Sequence, residues 1–172
     1  MKLATWVGWK PWTAAVVCMV VHISLVLAQD TRSQRATLAG LTGVNVLVEG
    51  MNPDVERDGL ARSTLQTDVE LRLRQASIRV LTETEMLLAP GKPFLYLRVS
   101  SFKGREGVYA VAISLELKQS VRLVRDPALT LMAATWQSIG AIGLGGPSKA
   151  RDTVRDEVDK FINAYLAANP KR

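Results

Sequence analysis

Residues 109–123, YAVAISLELKQSVRL, decide the fold class of this 172-residue chain. Apolar side chains occupy every second position of this stretch, with Gln119 as the single polar break. The positions between them carry small, polar or charged side chains. This alternation is typical of a β-strand with one buried face and one open face, and it predicts a sheet that is covered on one side.

Four further stretches predict strands, at residues 43–49, 78–81, 94–101 and 129–138. A turn at residues 103–107 joins the third of these to residues 109–123 as a hairpin. Asp126 and Pro127 then turn the chain into the last strand. We therefore expect five strands, most of them antiparallel.

Two stretches predict amphipathic helices, because their apolar residues recur every three or four positions. The first spans residues 60–76, and the second begins after Ser148 and is stopped by Asn169 and Pro170. The predicted order β-α-β-β-β-β-α corresponds to an α+β fold, a two-layer sandwich with two helices on one face of the sheet. Loops are expected in the turn-forming stretches between these elements, at residues 50–59 and 82–93.

The N-terminal residues have the three parts of a secretory signal. Lys2 and Lys10 form a basic start, residues 14–28 form an apolar run that contains His22 and Ser24, and Val26 and Ala28 suit cleavage after Ala28. The sequence therefore predicts a signal peptide at residues 1–28, a flexible entry segment at residues 29–40 and a single α+β domain at residues 41–172.

Two other interpretations of the N-terminus fit less well. An uncleaved membrane anchor would need about 20 apolar residues, and the run here is shorter. A lipid anchor on Cys18 would need a small residue before the cysteine, whereas Val17 precedes it and the apolar run continues after it.

Cleavage after Ala28 would leave 144 of the 172 residues, with neither cysteine nor histidine, because Cys18 and His22 both lie in the signal. Such a domain has no disulfide, and its stability comes from packing. Catalysis by Ser-His-Asp or Cys-His systems is excluded, as are zinc, haem and iron–sulfur sites that need cysteine or histidine. We expect no cofactor and no metal.

After cleavage, the chain retains 20 of the 22 basic residues against 16 acidic ones, a net charge of +4. Basic and acidic residues alternate along the chain, as on a solvated surface. A nucleic-acid-binding surface concentrates its cations and interleaves aromatic residues, so we expect no nucleic acid partner. We also expect no stable membrane span after cleavage.

Hydrolysis by two carboxylates is an enzymatic mechanism that this composition leaves open, because it needs neither cysteine nor histidine. The candidate acids are Glu83, Glu85, Glu116 and Asp126. None of them stands in a recognisable motif, and solvated surface carboxylates are far commoner than catalytic ones.

A glycine-rich stretch at residues 139–147 is predicted as a loop before the last helix. It does not match a phosphate-binding loop, because Gly146 stands where the lysine is needed and Pro147 lacks an amide donor. The loop is either a flexible connection or a mobile site for a partner or ligand. The second interpretation depends on Ile139, Gly140, Ile142, Gly143 and Leu144.

The outer face of the sheet, away from the helices, is a further candidate binding surface. Phe94, Tyr96 and Arg98 occupy every second position of one predicted strand and therefore share this face, and Leu81 is expected on the same face. This face is either plainly exposed or packed on a partner, a membrane or a second copy. Trp136 is either a core residue of the last strand or a surface anchor, since tryptophan is enriched at binding hot spots.

The export signal, the β-α start through Val44 and Leu73, the hairpin strand at residues 109–123 and the closing helix form one pattern over most of the chain. This pattern resembles the LptE-like class of bacterial envelope modules, although the chain lacks the lipobox of that class. The resemblance implies a periplasmic or secreted interaction module.

We therefore interpret the chain as a non-catalytic exported module of the cell envelope that binds another protein or an apolar ligand. A homo-oligomer remains open. The alternative is a carboxylate-dependent hydrolase that acts on an envelope polymer.

Overall fold

The computed structural model describes residues 31–104 and 109–170, with the main chain alone at residues 141–145. The predicted signal peptide and its cleavage site at Ala28 lie outside the described residues. Within them the chain forms five helices and four strands. In chain order these are α1 Arg32–Ala36, β1 Asn45–Val48, α2 Pro53–Arg57, α3 Arg62–Gln75, α4 Glu83–Leu88, β2 Phe94–Lys103, β3 Tyr109–Leu123, β4 Asp126–Gly145 and α5 Pro147–Ala168.

The strands form one mixed sheet in the order β1-β2-β3-β4. β1 runs parallel to β2, and the other two pairs are antiparallel. The predicted α+β fold with a mostly antiparallel sheet is confirmed. The expected strand at residues 78–81 is wrong, because this segment meets the sheet in a single bridge between Val44 and Val80 and then turns into α4. Leu81, which we expected on the outer face, is buried.

The core lies between the sheet and the two long helices. α3 packs on β1, α5 packs on β3 and β4, and the two helices contact each other. Burying a leucine or isoleucine side chain contributes about 1.5–3 kcal/mol relative to leaving it exposed. The alternating residues of β2 and β3 that supply this burial include Leu95, Leu97, Ile113, Leu115 and Leu117.

The apolar stripes that predicted the two helices face this core. α3 buries Leu65, Val69 and Leu73, and α5 buries six side chains along its inner side. The start of α5 differs from the prediction, because Gly146 and not Ser148 is its N-cap residue. Pro147 occupies the first turn, where a missing N–H costs no helical hydrogen bond.

Short helices occupy three stretches outside the predicted helices. α1 lies in the entry segment, and Leu38 just after it is fully buried. The stretches predicted as loops at residues 50–59 and 82–93 contain α2 and α4, so that prediction is wrong in part. A capping box between Thr82 and Glu85 begins α4. Helices of five or six residues are too short to show an apolar stripe, which explains why periodicity did not predict them.

The glycine-rich stretch is strand up to Gly145, so the predicted loop at residues 139–147 is wrong. Gly140 pairs with Ile113, and the register shifts before the next pair of residues. A Cβ atom on Gly140 would lie 3.0 Å from Thr153 Cγ2 and 3.2 Å from Glu157 Cγ. Glycine therefore lets α5 pack closely on β4 at this position.

Candidate functional site

Three residues predicted for the outer face, Phe94, Tyr96 and Arg98, lie together on that face. The ring centroid of Phe94 is 6.4 Å from that of Tyr96, and the two rings meet edge to face. The Arg98 guanidinium carbon lies 5.6 Å from the Tyr96 centroid, and Lys118 Nζ lies 4.0 Å from it. We call these four residues the Tyr96 cluster.

Carboxylates hold both cations of the Tyr96 cluster in place. Arg98 Nε donates a hydrogen bond of 2.6 Å to Glu49 Oε2, and this bond lowers the pKa of Glu49 below its ordinary value of 4.5. Lys118 Nζ lies 3.5 Å from Glu116 Oε2. A cation close to an aromatic ring is attracted by the ring quadrupole, so Tyr96 is held between two partly neutralised cations.

Beyond the Tyr96 cluster, the outer face carries further apolar and small side chains. Leu47 lies beside Tyr96 in the sheet, and Ile139 lies beside Ser114. Phe102, with 74% of its surface exposed, stands about 20 Å from Tyr96 along β2. The residues between them on β2 and β3 are small, namely Ser100, Ala110, Ala112 and Ser114. We call the surface from the Tyr96 cluster to Phe102 the outer strip.

Trp136 belongs to the core. Only 1% of its surface is exposed, and its ring centroid lies 5.2 Å from that of Phe161 on α5. Its Nε1 atom is buried and has no hydrogen-bond acceptor among the described residues. The interpretation of Trp136 as a surface anchor is therefore wrong, because Trp136 pairs with the buried Leu117 and faces the helices.

The residues of the expected glycine loop lie on β4 and fall on different sides of the sheet. Ile139 is exposed on the outer face, whereas Gly140 is buried under α5. Gly143 pairs with Val111 and Leu144 with Ala110, and Ile142 lies at the register shift between the paired glycines. The structure describes only the main chain of these last three residues, and it does not bring the five together in one loop.

The four candidate carboxylates are dispersed over the fold. Glu83 borders a groove beside β1, and Glu85 caps α4 and pairs with Arg79. Glu116 belongs to the outer face, and Asp126 accepts a hydrogen bond from the Ala128 amide at the β3–β4 turn. In residues 31–104 and 109–170, no three side chains of His, Cys, Asp or Glu are grouped so that they could hold a metal ion.

Sequence reasoning missed the buried acid Glu157, of which 2% is exposed. Its Oε2 atom accepts a hydrogen bond from the Ser138 hydroxyl, and its Oε1 atom accepts one of 2.7 Å from Lys160 Nζ. Its burial could have been predicted from its position in the sequence. Glu157 lies three residues after Val154 and four before Phe161, within the apolar stripe of α5. The hydrogen bond from Ser138 joins α5 to β4, which is a structural role.

The β3–β4 hairpin continues past the rest of the sheet. β2 pairs with β3 as far as Lys118, so residues 119–134 form a two-stranded ribbon, which we call the arm. Val121 pairs with Leu131 across it, and Val124 at its tip is 99% exposed. At its base, the Ser120 amide donates a hydrogen bond of 2.7 Å to the Gly91 carbonyl. The arm is a second exposed apolar surface. The sequence did not predict it, because the apolar alternation of residues 109–123 continues unchanged from the core part of β3 into the arm.

Comparisons with protein-family models, curated proteins and solved structures found no match to this chain. No helix in the described ranges is long and apolar enough to cross a membrane.

Proposed function

We propose that this chain is a non-catalytic, exported module of the bacterial cell envelope that binds another protein through the outer strip. The observation that carries this proposal is a sheet face with the exposed Phe102 at one end, the partly exposed Phe94 and Tyr96 at the other, and small residues between them. A contiguous surface of this composition is typical of a site of protein association.

The composition of the Tyr96 cluster supports this proposal. Tyrosine, phenylalanine and arginine are enriched in protein interfaces, and tyrosine and arginine are frequent among the residues that carry most of the binding energy. Contacts with Phe94, Arg98 and Lys118 already hold the ring of Tyr96, so binding would order few side chains. Such preorganisation lowers the entropic cost of association.

Export is supported by the N-terminal residues. The basic start, the apolar run and the small side chain at Ala28 are the parts that a secretory signal requires. The partner that we propose is therefore a protein of the cell envelope.

Photo-crosslinking in intact cells tests the binding surface. A photoreactive phenylalanine analogue at Phe102 would stand on the outer strip, and the same analogue at Asn163 would stand on the exposed side of α5. We expect a discrete adduct with an envelope protein from position 102 and none from position 163. Absence of an adduct at 102, or equal adducts at both positions, would contradict the proposal.

A truncation within the Tyr96 cluster tests the chemistry of the surface. Tyr96→Ala is expected to lower the yield of the adduct at position 102 about tenfold, since hot-spot truncations cost 1–2 kcal/mol or more. Thr67→Ala, at an exposed position of α3, should leave the yield unchanged. Circular dichroism of both variants separates loss of binding from loss of fold.

A further inference from the structure

The arm protrudes from the fold and leaves apolar side chains uncovered. Its tip at Val124 lies about 17 Å beyond Gln119, where β2 no longer pairs with β3. Val124 is almost fully exposed, and Leu131 and Met132 on the returning strand are also exposed. Leu131 and Met132 are consecutive residues of β4, so they lie on opposite faces of the ribbon. Exposed apolar residues therefore occupy the tip and both faces of the arm.

A second exposed apolar segment lies beside the base of the arm. Leu87 and Leu88 end α4, and both side chains are exposed. Gly91, three residues after Leu88, accepts the hydrogen bond from the Ser120 amide. Three residues span at most about 11 Å, so the end of α4 lies close to the arm. The apolar end, as we call this combined surface, consists of Leu87, Leu88, Val124, Leu129, Leu131 and Met132.

Unpaired cations lie around the apolar end. Most described lysine and arginine side chains form an ion pair with a carboxylate. Arg122 and Arg125 on the arm and Lys92 in the loop after α4 are exposed and form no ion pair with a described residue. Asp126 is the only acid of the arm, and its carboxylate accepts a hydrogen bond from the Ala128 amide. The surroundings of the apolar end are therefore positively charged.

An anionic bilayer is the partner that this combination fits best. One flat protein surface cannot cover apolar residues on opposite faces of a ribbon, whereas lipid headgroups and chains close around a protrusion of any shape. Protein segments that lie in a membrane interface combine apolar side chains at the headgroup–acyl boundary with basic side chains near anionic lipids. Each lysine or arginine close to an anionic surface strengthens this attraction. The charge and the shape of the apolar end therefore both favour lipid over protein.

We propose that the arm inserts Val124 and the apolar residues around it into the interface of an anionic phospholipid bilayer, with Arg122 and Arg125 on lipid phosphates. The stems of the two arginines cover apolar surface while their guanidinium groups stay at the phosphates. Main-chain groups of a hairpin turn lack strand partners, and such groups do not enter hydrocarbon. The tip therefore remains at the headgroup boundary, about 5–10 Å deep, and the attachment is peripheral. It does not depend on the proposed binding at the outer strip.

Sedimentation with lipid vesicles tests this attachment, with the exported chain purified as the cell processes it. One set of vesicles is phosphatidylcholine alone, and the other contains about one third phosphatidylglycerol to supply negative charge. We expect partition into the anionic vesicles to be at least about tenfold stronger than into the neutral ones, and to weaken in high salt. Arg122→Gln combined with Arg125→Gln should lower it about 30-fold, the combined effect of two cations at an anionic surface.

A second double variant is the matched control for charge. Arg62 and Lys149 are also exposed cations without a described carboxylate partner, and they lie at the starts of α3 and α5, outside the apolar end. Arg62→Gln combined with Lys149→Gln removes the same total charge. We expect it to change partition less than about threefold, because charges farther than a Debye length from the bilayer are screened.

A fluorescent label tests whether the tip enters the interface. The predicted mature chain has no cysteine, so Val124→Cys provides one site for an environment-sensitive dye. We expect the emission of this dye to shift to shorter wavelength when anionic vesicles are added. Leu71→Cys, at an exposed position of α3, is the control and should keep the emission that it has in water. Circular dichroism shows whether each variant keeps the wild-type fold.

Four outcomes would overturn the proposal. A chain that does not partition into anionic vesicles would leave the apolar end to a protein partner. Equal partition into neutral and anionic vesicles would remove the role of the cations. Equal losses in the two double variants would show that the total charge, and not the arm, controls partition. Partition without an emission shift at position 124 would place the attachment on another part of the chain.

Discussion

At the scale of single residues, Gly43 shows how closely the main chain packs beside β1. The Val44 amide donates a hydrogen bond of 3.0 Å to the Arg79 carbonyl. A Cβ atom on Gly43 would lie 2.7 Å from that same carbonyl oxygen and 3.0 Å from Leu81 Cδ2. The first contact is with main chain, so a side chain at position 43 would have to displace the segment that follows α3.

Gly43→Ala is expected to lower the free energy of unfolding by about 1–3 kcal/mol, the usual cost of forcing extra atoms into a packed site. Gly50→Ala is the matched control, because a Cβ atom there has no neighbour within 4 Å. We expect the control to stay within about 0.5 kcal/mol of the wild type. Urea denaturation measures both. Equal losses in the two variants would show that the contact with Arg79 is not the cause.

The residues of the Tyr96 cluster show what sequence can predict at this scale. Alternation alone placed Phe94, Tyr96 and Arg98 on one face of β2. It could not place Lys118 over the Tyr96 ring, because that neighbour depends on the register between β2 and β3. The location of Trp136 could not be predicted in this way, because a tryptophan occurs both in cores and at binding surfaces. Only the pairing of β4 showed that Trp136 lies under α5.

At the scale of elements, two arginine–aspartate pairs join α3 to α5. Arg151 donates two hydrogen bonds to the Asp68 carboxylate, one of them 2.8 Å long, and Arg72 binds Asp159 in the same two-bond manner. The bonds from Arg151 lower the pKa of Asp68 below its ordinary value of 3.8. Each pair links one helix to the other, so each resists their separation.

Asp68→Asn tests the first of these links through its pH dependence. A carboxylate whose pKa is lowered by folding stabilises the folded state above its unfolded pKa, and this contribution is lost as the pH falls through the folded pKa. We expect Asp68→Asn to be less stable than the wild type near neutral pH, by less than about 1 kcal/mol because the pair is partly exposed.

This difference should shrink towards zero as the pH falls through and below the lowered pKa of Asp68, where the wild-type carboxyl is also neutral. It should also shrink in high salt, which screens exposed charges. Urea denaturation at a series of pH values measures it. A difference that stays constant from neutral to strongly acidic pH would mean that Asp68 acts through its shape and not its charge.

The helical elements were predicted unevenly, and their length explains this. α3 and α5 are long enough to repeat an apolar stripe, and both were predicted. α1, α2 and α4 have five or six residues, and isolated helices of that length do not form without tertiary contacts. The segment at residues 78–81 has the composition of a strand but bridges only to Val44, the residue before β1, because α4 begins immediately after it.

At the scale of the whole molecule, the state of the N-terminus determines where the chain acts. Mass spectrometry of the chain recovered from the envelope fraction is expected to find Gln29 as its first residue. An intact N-terminus in the membrane fraction would instead support an uncleaved anchor. A chain found only in the cytoplasm would contradict export and the proposed envelope partner together.

The amino-acid sequence by itself determined the fold class, the long helices and the parity of β1, β2 and β3, because these depend on the spacing of apolar residues along one segment. The tertiary structure alone decided that β4 runs through the glycines to Gly145, that Glu157 is buried against Ser138, and that the hairpin extends beyond the core as an arm. These features depend on which segments meet, and the physical reason is pairing: a residue is buried or exposed according to a neighbour that lies far away in the sequence.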